Sequence, residues 1–368
     1  MSLSIGIVGL PNVGKSTLFN ALTEKSVPAE NYPFCTIDPS VGVVAVPDIR
    51  LDRLAQFSSS QKVIPAAAQF VDIAGLIKGA SEGEGLGNAF LSNVREVDVI
   101  LHLVRTFEDD EIIHVSGAVD PRQDVETINL ELIMADIQSV QKRRKKIEKD
   151  LKKRDKAVLF EAEVLEKLKS VLEEGRFISS GNFTDEERVV FKPLNLLTNK
   201  SVLYVLNKRA GARNITELAD ERLPSLMSAI EYNTPDSPVI EIDVGFEFEM
   251  SGIKGEERQR FKFEMGNERN SGIEDVIRSG YELLNLITFF TTGEKETRAW
   301  DIRAGSTAPE AGRAIHSDFH DKFIKAEVIE WDKLIAGRSK AYAREKGLIK
   351  VEGKEYIVKD GDVIEFKI

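Results

Sequence analysis

The chain has 368 residues, 42% hydrophobic and 30% charged with 12 prolines, which excludes disorder throughout and calls for two or three compact units. Its 50 basic and 61 acidic residues leave a net charge of −11, so a polyanion cannot be held by bulk charge and any nucleic-acid contact must come from a local patch. A single cysteine, Cys35, excludes an internal disulfide and a Cys-rich zinc site, no stretch of about 18 uncharged apolar residues offers a membrane span, and the expected location is the cytoplasm.

Residues 4–8, with Ile5, Ile7 and Val8 around Gly6, read as a buried strand that stops at Gly9 and Pro11, and Lys15 to Leu22 follows with Leu18, Phe19 and Leu22 at helical spacing. Between them, Gly9-Leu10-Pro11-Asn12-Val13-Gly14-Lys15-Ser16 fits G-x-x-x-x-G-K-[ST] in the strand-then-helix context that the motif requires. Glycines at both ends let backbone N–H groups turn inward around an anion, and the helix start adds its positive end. Lys15 is expected to reach the β- and γ-phosphates, Ser16 to offer a hydroxyl to Mg²⁺, and Thr17 to donate to the phosphates.

Next, Asn31-Tyr32-Pro33-Phe34-Cys35-Thr36 places a threonine hydroxyl where it can complete the magnesium shell. Strand-like runs return at 41–46 and 67–71, the second leading into Asp72-Ile73-Ala74-Gly75. That pattern puts a carboxylate near the metal's water shell and a glycine N–H near the γ-phosphate. A mobile loop is expected from Leu76 to Gly87, which carries Gly79, Gly83, Gly85 and Gly87. Leu76 stands where a Ras-like GTPase has its water-orienting glutamine, and an alkyl group cannot orient water. Hydrolysis then rests on backbone groups, the metal and a monovalent cation such as K⁺ near Asn12, and slow intrinsic turnover is expected.

After a strand-like run at 97–101, residues from about Asp124 to Arg176 repeat apolar positions at three- and four-residue steps, which predicts a pair of long antiparallel helices inserted in the sheet domain. Gln141 to Lys156 holds ten Lys or Arg against three Asp or Glu, a patch that suits either a solvated helix face or a nucleic-acid or ribosome contact. Further strand-like runs at 201–206 and 239–242 complete a largely parallel sheet with helices on both faces. The fifth of these strands ends in Asn207-Lys208-Arg209-Ala210. A guanine-specific site wants Asn-Lys-x-Asp, because the aspartate accepts both the N1–H and the exocyclic amine; Ala210 has no acceptor. Asn207 and Lys208 can still bracket a purine, so the expectation is ATP or relaxed purine choice. Past Gly280 the texture becomes a small α+β unit: Leu283, Leu284, Leu286 and Ile287 close a helix, Ala326 to Trp331 and Tyr356 to Val358 alternate, and a turn at 359–361 precedes a last strand.

With these residues assembled, the chain resembles the YchF subfamily of Obg-like ATPases, within the translation-factor class of P-loop GTPases. The blocks that carry the resemblance are GLPNVGKSTLFN from Gly9, NYPFCTIDP from Asn31, VDIAGLIKGASEGEGLGNAFL from Val71, HVSGAVD from His114, and Arg298 to Val328, the last similar to a TGS domain of β-grasp type. The resemblance implies an α/β P-loop nucleotide-binding domain over 1–123 and 198–286, a helical coiled-coil arm over 124–197 and a C-terminal TGS domain over 287–368. It also implies ATP hydrolysed in preference to GTP, and ribosome or RNA association through the arm and the tail. Asn12, Val13, Gly14, Lys15, Ser16 and Thr17 would bind nucleotide, Ser16 and Thr36 would ligate Mg²⁺, and Lys208 would sit at the base; Lys15, Asp72 and Gly75 are the candidates for the chemistry. The family usually shows Asn-x-x-Glu where this chain has Asn207 to Ala210. Two other classes stay open: a GTP-dependent translation factor with weak base selection, and a regulatory binding protein whose hydrolysis is incidental. The chain is expected to act as a monomer.

Other signals read as structure. His316 and His320, four apart, lack a third ligand and a following glutamate; His102 and His114 lie in or beside strands. Trp300, Trp331, Phe319 and Phe323 are expected in the core of the tail rather than as RNA-stacking platforms, although the tail's lysines and arginines leave a basic face open. Glu108 to Glu111 reads as a solvated acidic loop.

Overall fold

The computed structural model describes residues 3–24, 26, 40–73, 88–109, 118–152, 155–217, 220–253 and 272–368. They form two compact units, one from the described parts of 3–24, 40–42 and 69–276, the other from residues 26, 43–68 and 277–368. Among the described residues no helix is long and apolar enough to cross a membrane.

In the first unit, β1 (Ser4–Val8) is buried along its whole length and runs into α1 (Lys15–Thr23), whose Leu18, Phe19 and Leu22 face inward at the expected spacing. The sheet around β1 has the order β2-β4-β1-β5-β7-β9, with β2 at Val41–Ala45, β4 at Ala67–Asp72, β5 at Val99–Arg105, β7 at Ser201–Asn207 and β9 at Val239–Ile242. β1 pairs in parallel with both β4 and β5, β5 with β7, and β7 with β9. Consecutive segments therefore leave β1 in opposite directions, the switch point at which open α/β sheets bind ligands beyond the carboxyl ends of their strands. The register levels Ile7 with Asp72, Arg105 with Asn207, and Asn207 with Ile242, so that Asp72 and Asn207 finish their strands at the same edge of the sheet.

α4 (Pro121–Leu151) is capped by Asp120, whose side chain accepts from Gln123 N–H, and carries proline in its first turn, where no amide hydrogen is needed. Val125, Ile128 and Leu132 in its first half belong to one apolar cluster with Val8, Ile100 and Val104 of the sheet. Val140 and Ile147 in its second half meet Val164, Leu165 and Leu168 of α5 (Lys156–Glu173), and Arg143 makes a two-pronged contact with Glu161. One helix thus begins on the sheet and continues as the arm.

The second unit carries a mixed sheet in the order β13-β12-β14-β10-β11-β3, where β3 is Lys62–Ile64, β10 Leu286–Thr292, β11 Glu296–Arg303, β12 Lys325–Glu330, β13 Lys350–Glu352 and β14 Asp362–Lys367. Phe289, Ile302, Ala326, Val328, Ile364 and Phe366 form its core beneath the helix Ala308–Ile315. Two features differ from the sequence expectation. Leu286 and Ile287 open β10 instead of closing a helix, because the helix Gly272–Leu283 stops before Asn285, whose φ of 54° reverses the chain. Tyr356 to Val358 forms no strand; Ile357 makes only an isolated bridge to Thr307. The β3 segment, far away in sequence, adds to the outer edge of the hairpin by parallel pairing with β11. The preceding α2 (Ile49–Ser58) is fastened to the same sheet: Arg50 bonds both Asp48 and Asp360 and lies over Phe290, while Ser58 bonds Thr292 at 2.7 Å.

Candidate nucleotide site

The turn after β1 has the conformations its sequence foretells. Gly9 has φ 152° and Gly14 φ 101°; a Cβ would come within 2.5 Å of the Leu103 carbonyl oxygen at the first and 2.8 Å of Asn207 Nδ2 at the second. Asn12 also takes a left-handed conformation, φ 63°, which its short polar side chain tolerates. No side chain caps α1 behind Gly14, so its first N–H groups are left for an anion together with the positive end of the helix.

Lys15 points back along the loop and donates from Nζ to the Leu10 carbonyl at 2.6 Å. Burial lowers its pKa to about 8 against the opposing pull of Asp72. Ser16 Oγ lies 3.4 Å from Asp72 Oδ2, which brings a hydroxyl and a buried carboxylate from two different elements to one point. Hard oxygen donors of this kind suit Mg²⁺ rather than a softer metal. Below them His102, level with Val8 in the register, is buried against Tyr204 with ring centroids 5.4 Å apart. Burial, reinforced by the Lys15 charge, drives its pKa down to about 3, so it is a neutral packing group, as its strand position suggested.

A cavity of about 380 Å³ opens beside the loop. Asn12, Val13, Gly14 and Thr17 contribute to its wall, as do Asn207, Lys208, Arg209 and Ala210. Lys15 and Ser16 are not in that wall; they meet Asp72 at the end of β4. Asn207 is only 5% exposed and joins three segments. Its Nδ2 donates to the Val13 carbonyl at 2.8 Å, its Oδ1 accepts from Val244 N–H at 3.1 Å, and its carbonyl accepts from Thr106 N–H and Oγ1. The Lys208 ammonium lies 3.7 Å from Glu217, and Arg209 pairs with Asp109. Thr36 and Gly75 fall outside the described residues, as do Leu76, the Leu76–Gly87 loop, Cys35 and His114.

Sequence reasoning missed part of this wall. Phe107 lines the cavity and is held by Arg105, which is 1% exposed, donates from Nε to the Phe107 carbonyl at 3.0 Å and places its guanidinium 4.6 Å from the ring centroid. Asp243 and Phe246, at the start of α8 (Val244–Ser251), complete the far side. No motif marks them; only the parallel pairing of β7 with β9 brings residue 243 beside residue 210. Among the signals read as structural, Glu108 of the acidic run pairs with Arg222 at 2.9 Å, while Asp110 and Glu111 lie outside the described residues; His320 pairs with Asp321, and Phe323 and Phe319 pack with Phe366. Trp300 lies against Phe289 with centroids 6.4 Å apart.

Comparison with known proteins matches residues 4–161 to the family described as 50S ribosome-binding GTPase, and residues 286–368 to the YchF-GTPase C-terminal family, described as a protein of unknown function. The chain is 49% identical to the ribosome-binding ATPase YchF of Bacillus subtilis (strain 168), over 100% of this chain and 99% of that protein. It is 46% identical to the protein of the same name from Escherichia coli O157:H7, again over 100% and 99%. A solved structure, that of the Schizosaccharomyces pombe YchF GTPase, superposes with a TM-score of 0.89 at 38% identity and covers 100% of this chain and 98% of that one.

Proposed function

The chain belongs to the YchF family, and from that premise we propose that it is a nucleotide-hydrolysing, ribosome-associated protein that converts ATP to ADP and phosphate in preference to GTP. The observation that carries this reading is the single cavity whose wall joins the phosphate loop, at Asn12 to Gly14, to the base-side residues Asn207 to Ala210. Part of the phosphate loop and the proposed base-side residues thus share one wall, with Lys15 and Ser16 following directly in the chain.

Within that reading, the loop amides and the open start of α1 hold the phosphates, and the Lys15 ammonium supplies the countercharge to the β- and γ-oxygens. Lys15 is largely protonated at neutral pH, and an anionic phosphate draws it further toward the charged form. Ser16 would hold Mg²⁺, with Asp72 beside it and Thr36 as a further ligand. When bound, the ion would neutralise charge that develops on the phosphates. Gly75 offers its N–H to the γ-phosphate; Leu76, following it, has nothing with which to orient water, and intrinsic turnover is slow.

The basic arm of 124–197 and the tail of 287–368, read as a TGS domain, are the parts proposed to grip the ribosome, with 1–123 and 198–286 binding nucleotide; the protein would act as a monomer in the cytoplasm. Competition of ATP and GTP for a fluorescent nucleotide, followed by single-turnover hydrolysis with and without ribosomes, tests the reading. Tighter GTP binding would favour the GTP-dependent translation factor, for which Lys208 speaks by matching the Asn-Lys of guanine-specific sites. No stimulation by ribosomes would leave nucleotide-controlled binding as the activity.

A further inference from the structure

The base end of the cavity lacks a carboxylate at residue 210, yet a carboxylate stands next to it. Asp243 Oδ2 accepts from the Ala210 N–H at 2.7 Å, and its Oδ1 accepts from the Phe246 N–H at 2.9 Å. Asp243, Ala210 and Asn207 all line the same cavity as the phosphate loop. An ionised carboxylate has about four acceptor sites, and two backbone bonds leave acceptor capacity on each oxygen. The side chain is therefore held in place by the turn after β7 on one side and the first turn of α8 on the other, while keeping acceptor capacity for a ligand.

We infer that Asp243 is the base-reading residue of this chain: its carboxylate accepts a hydrogen bond from the 6-amino group of adenine, the donor that distinguishes adenine from guanine at that position. The inference deepens the nucleotide reading and rests on it. At position 6 adenine offers an amine and guanine a carbonyl, so a purine held in one orientation by its phosphates meets Asp243 with attraction in the first case and repulsion in the second. Guanine recognition by one carboxylate needs both oxygens presented together to two donors. Here the two oxygens are drawn toward different backbone segments, at Ala210 and at Phe246, an arrangement suited to a single amine. The anchoring N–H of Ala210 also explains how a residue with no side-chain acceptor contributes to the site: it fixes the neighbour that has one.

The test measures displacement of a fluorescent nucleotide by ATP, ITP, 2,6-diaminopurine riboside triphosphate and inorganic tripolyphosphate, the last as a base-free reference within each variant. In the unmodified protein, ATP and the diaminopurine nucleotide are expected to bind alike and ITP about ten- to a hundredfold more weakly, the range for a hydrogen bond to a charged group. Asp243→Ser, which keeps a good cap for α8, should bring ATP and ITP to within about threefold of each other. Asp243→Asn, which puts an amide donor in the pocket, should favour ITP. Equal binding of ATP and ITP by the unmodified protein overturns the inference, as does an unchanged ATP-to-ITP ratio in both variants. A change confined to the diaminopurine-to-ATP ratio would also overturn it, by assigning Asp243 to the 2-position. Failure of the nucleotide reading itself looks different, since the fluorescent nucleotide would then not bind at all.

Discussion

Asn207 donates from its Nδ2 to the carbonyl oxygen of Val13 at 2.8 Å, which ties the end of β7 to the loop that precedes α1. The same amide accepts from Val244 N–H at 3.1 Å, so its donor and acceptor atoms are both engaged by the protein. Asn207 thus shapes the pocket from within. Asn207→Ala removes both bonds and leaves the Val13 carbonyl and the Val244 N–H to be satisfied elsewhere, at a cost of about 1–3 kcal/mol for each buried group left unpaired. The expected outcome is a loss of affinity of roughly tenfold or more for ATP and GTP alike, with their ratio preserved. A variant that changed the ratio and not the common affinity would place the side chain on the base instead.

Lys15 carries a pH dependence whose sign follows from its burial. Burial lowers its pKa to about 8, so above that pH the nucleotide-free protein is mostly uncharged at this position, while the phosphate-bound form prefers the ammonium. Binding above about pH 8 must therefore take up a proton, and affinity should fall by up to about tenfold per pH unit until the pKa of the complex is reached. Titration of nucleotide affinity from pH 7 to 9.5 checks this; a flat profile would contradict it. Lys15→Ala should bind weakly and hydrolyse nothing measurable at any of these pH values, because the countercharge is gone.

The proposed phosphate end was legible because a loop that turns its amides inward demands glycine at fixed offsets, and Gly9 and Gly14 both adopt positive φ with backbone or side-chain atoms where a Cβ would go. The sheet was legible for a similar reason: β5 and β7 are buried along nearly their whole length and read as continuous apolar runs. The proposed base end was only half visible. Asn207 to Ala210 form a contiguous segment, but Asp243 enters through the pairing of β7 with β9, and Phe107 through the buried Arg105. Contacts made by sheet register leave no spacing to read. The same applies to β3, whose partner β11 lies more than two hundred residues away in the chain.

The arm bears its charge in the open. Lys142, Lys145, Lys146 and Lys149 are all exposed, whereas Ile147 between them is buried against α5. Contact with ribosomal RNA through this face would release counterions and weaken steeply with salt. Lys142→Glu, Lys145→Glu and Lys146→Glu in one chain should abolish co-sedimentation with ribosomes at moderate salt and make the salt dependence shallower by about three phosphate contacts. Unaltered co-sedimentation across a salt series would move the contact elsewhere on the protein.

Asp136 anchors the arm's helix to the sheet at a point no motif marks. It is fully buried in α4, where its carboxylate accepts from Thr198 N–H and Oγ1, both at 2.8 Å, and from Leu197 N–H at 3.1 Å, with Arg95 at 3.3 Å. Lys200, two residues past Thr198, donates to the carbonyls of Arg95 and Val97 at the end of α3 (Asn88–Glu96), so the middle of α4, the end of α3 and the entry to β7 share one polar cluster. Asp136→Ala strips the acceptor from several buried donors at once and leaves Arg95 without its carboxylate. The expected loss is about 3–5 kcal/mol, the range for breaking a buried charge pair from one side, read as a lower midpoint in chemical denaturation. Asp136→Asn keeps the shape and one acceptor oxygen and should lose less than the alanine variant. Equal midpoints for the alanine variant and the unmodified protein would show that water enters and satisfies the cluster, and that the packing of Val125, Ile128 and Leu132 alone holds the helix to the sheet.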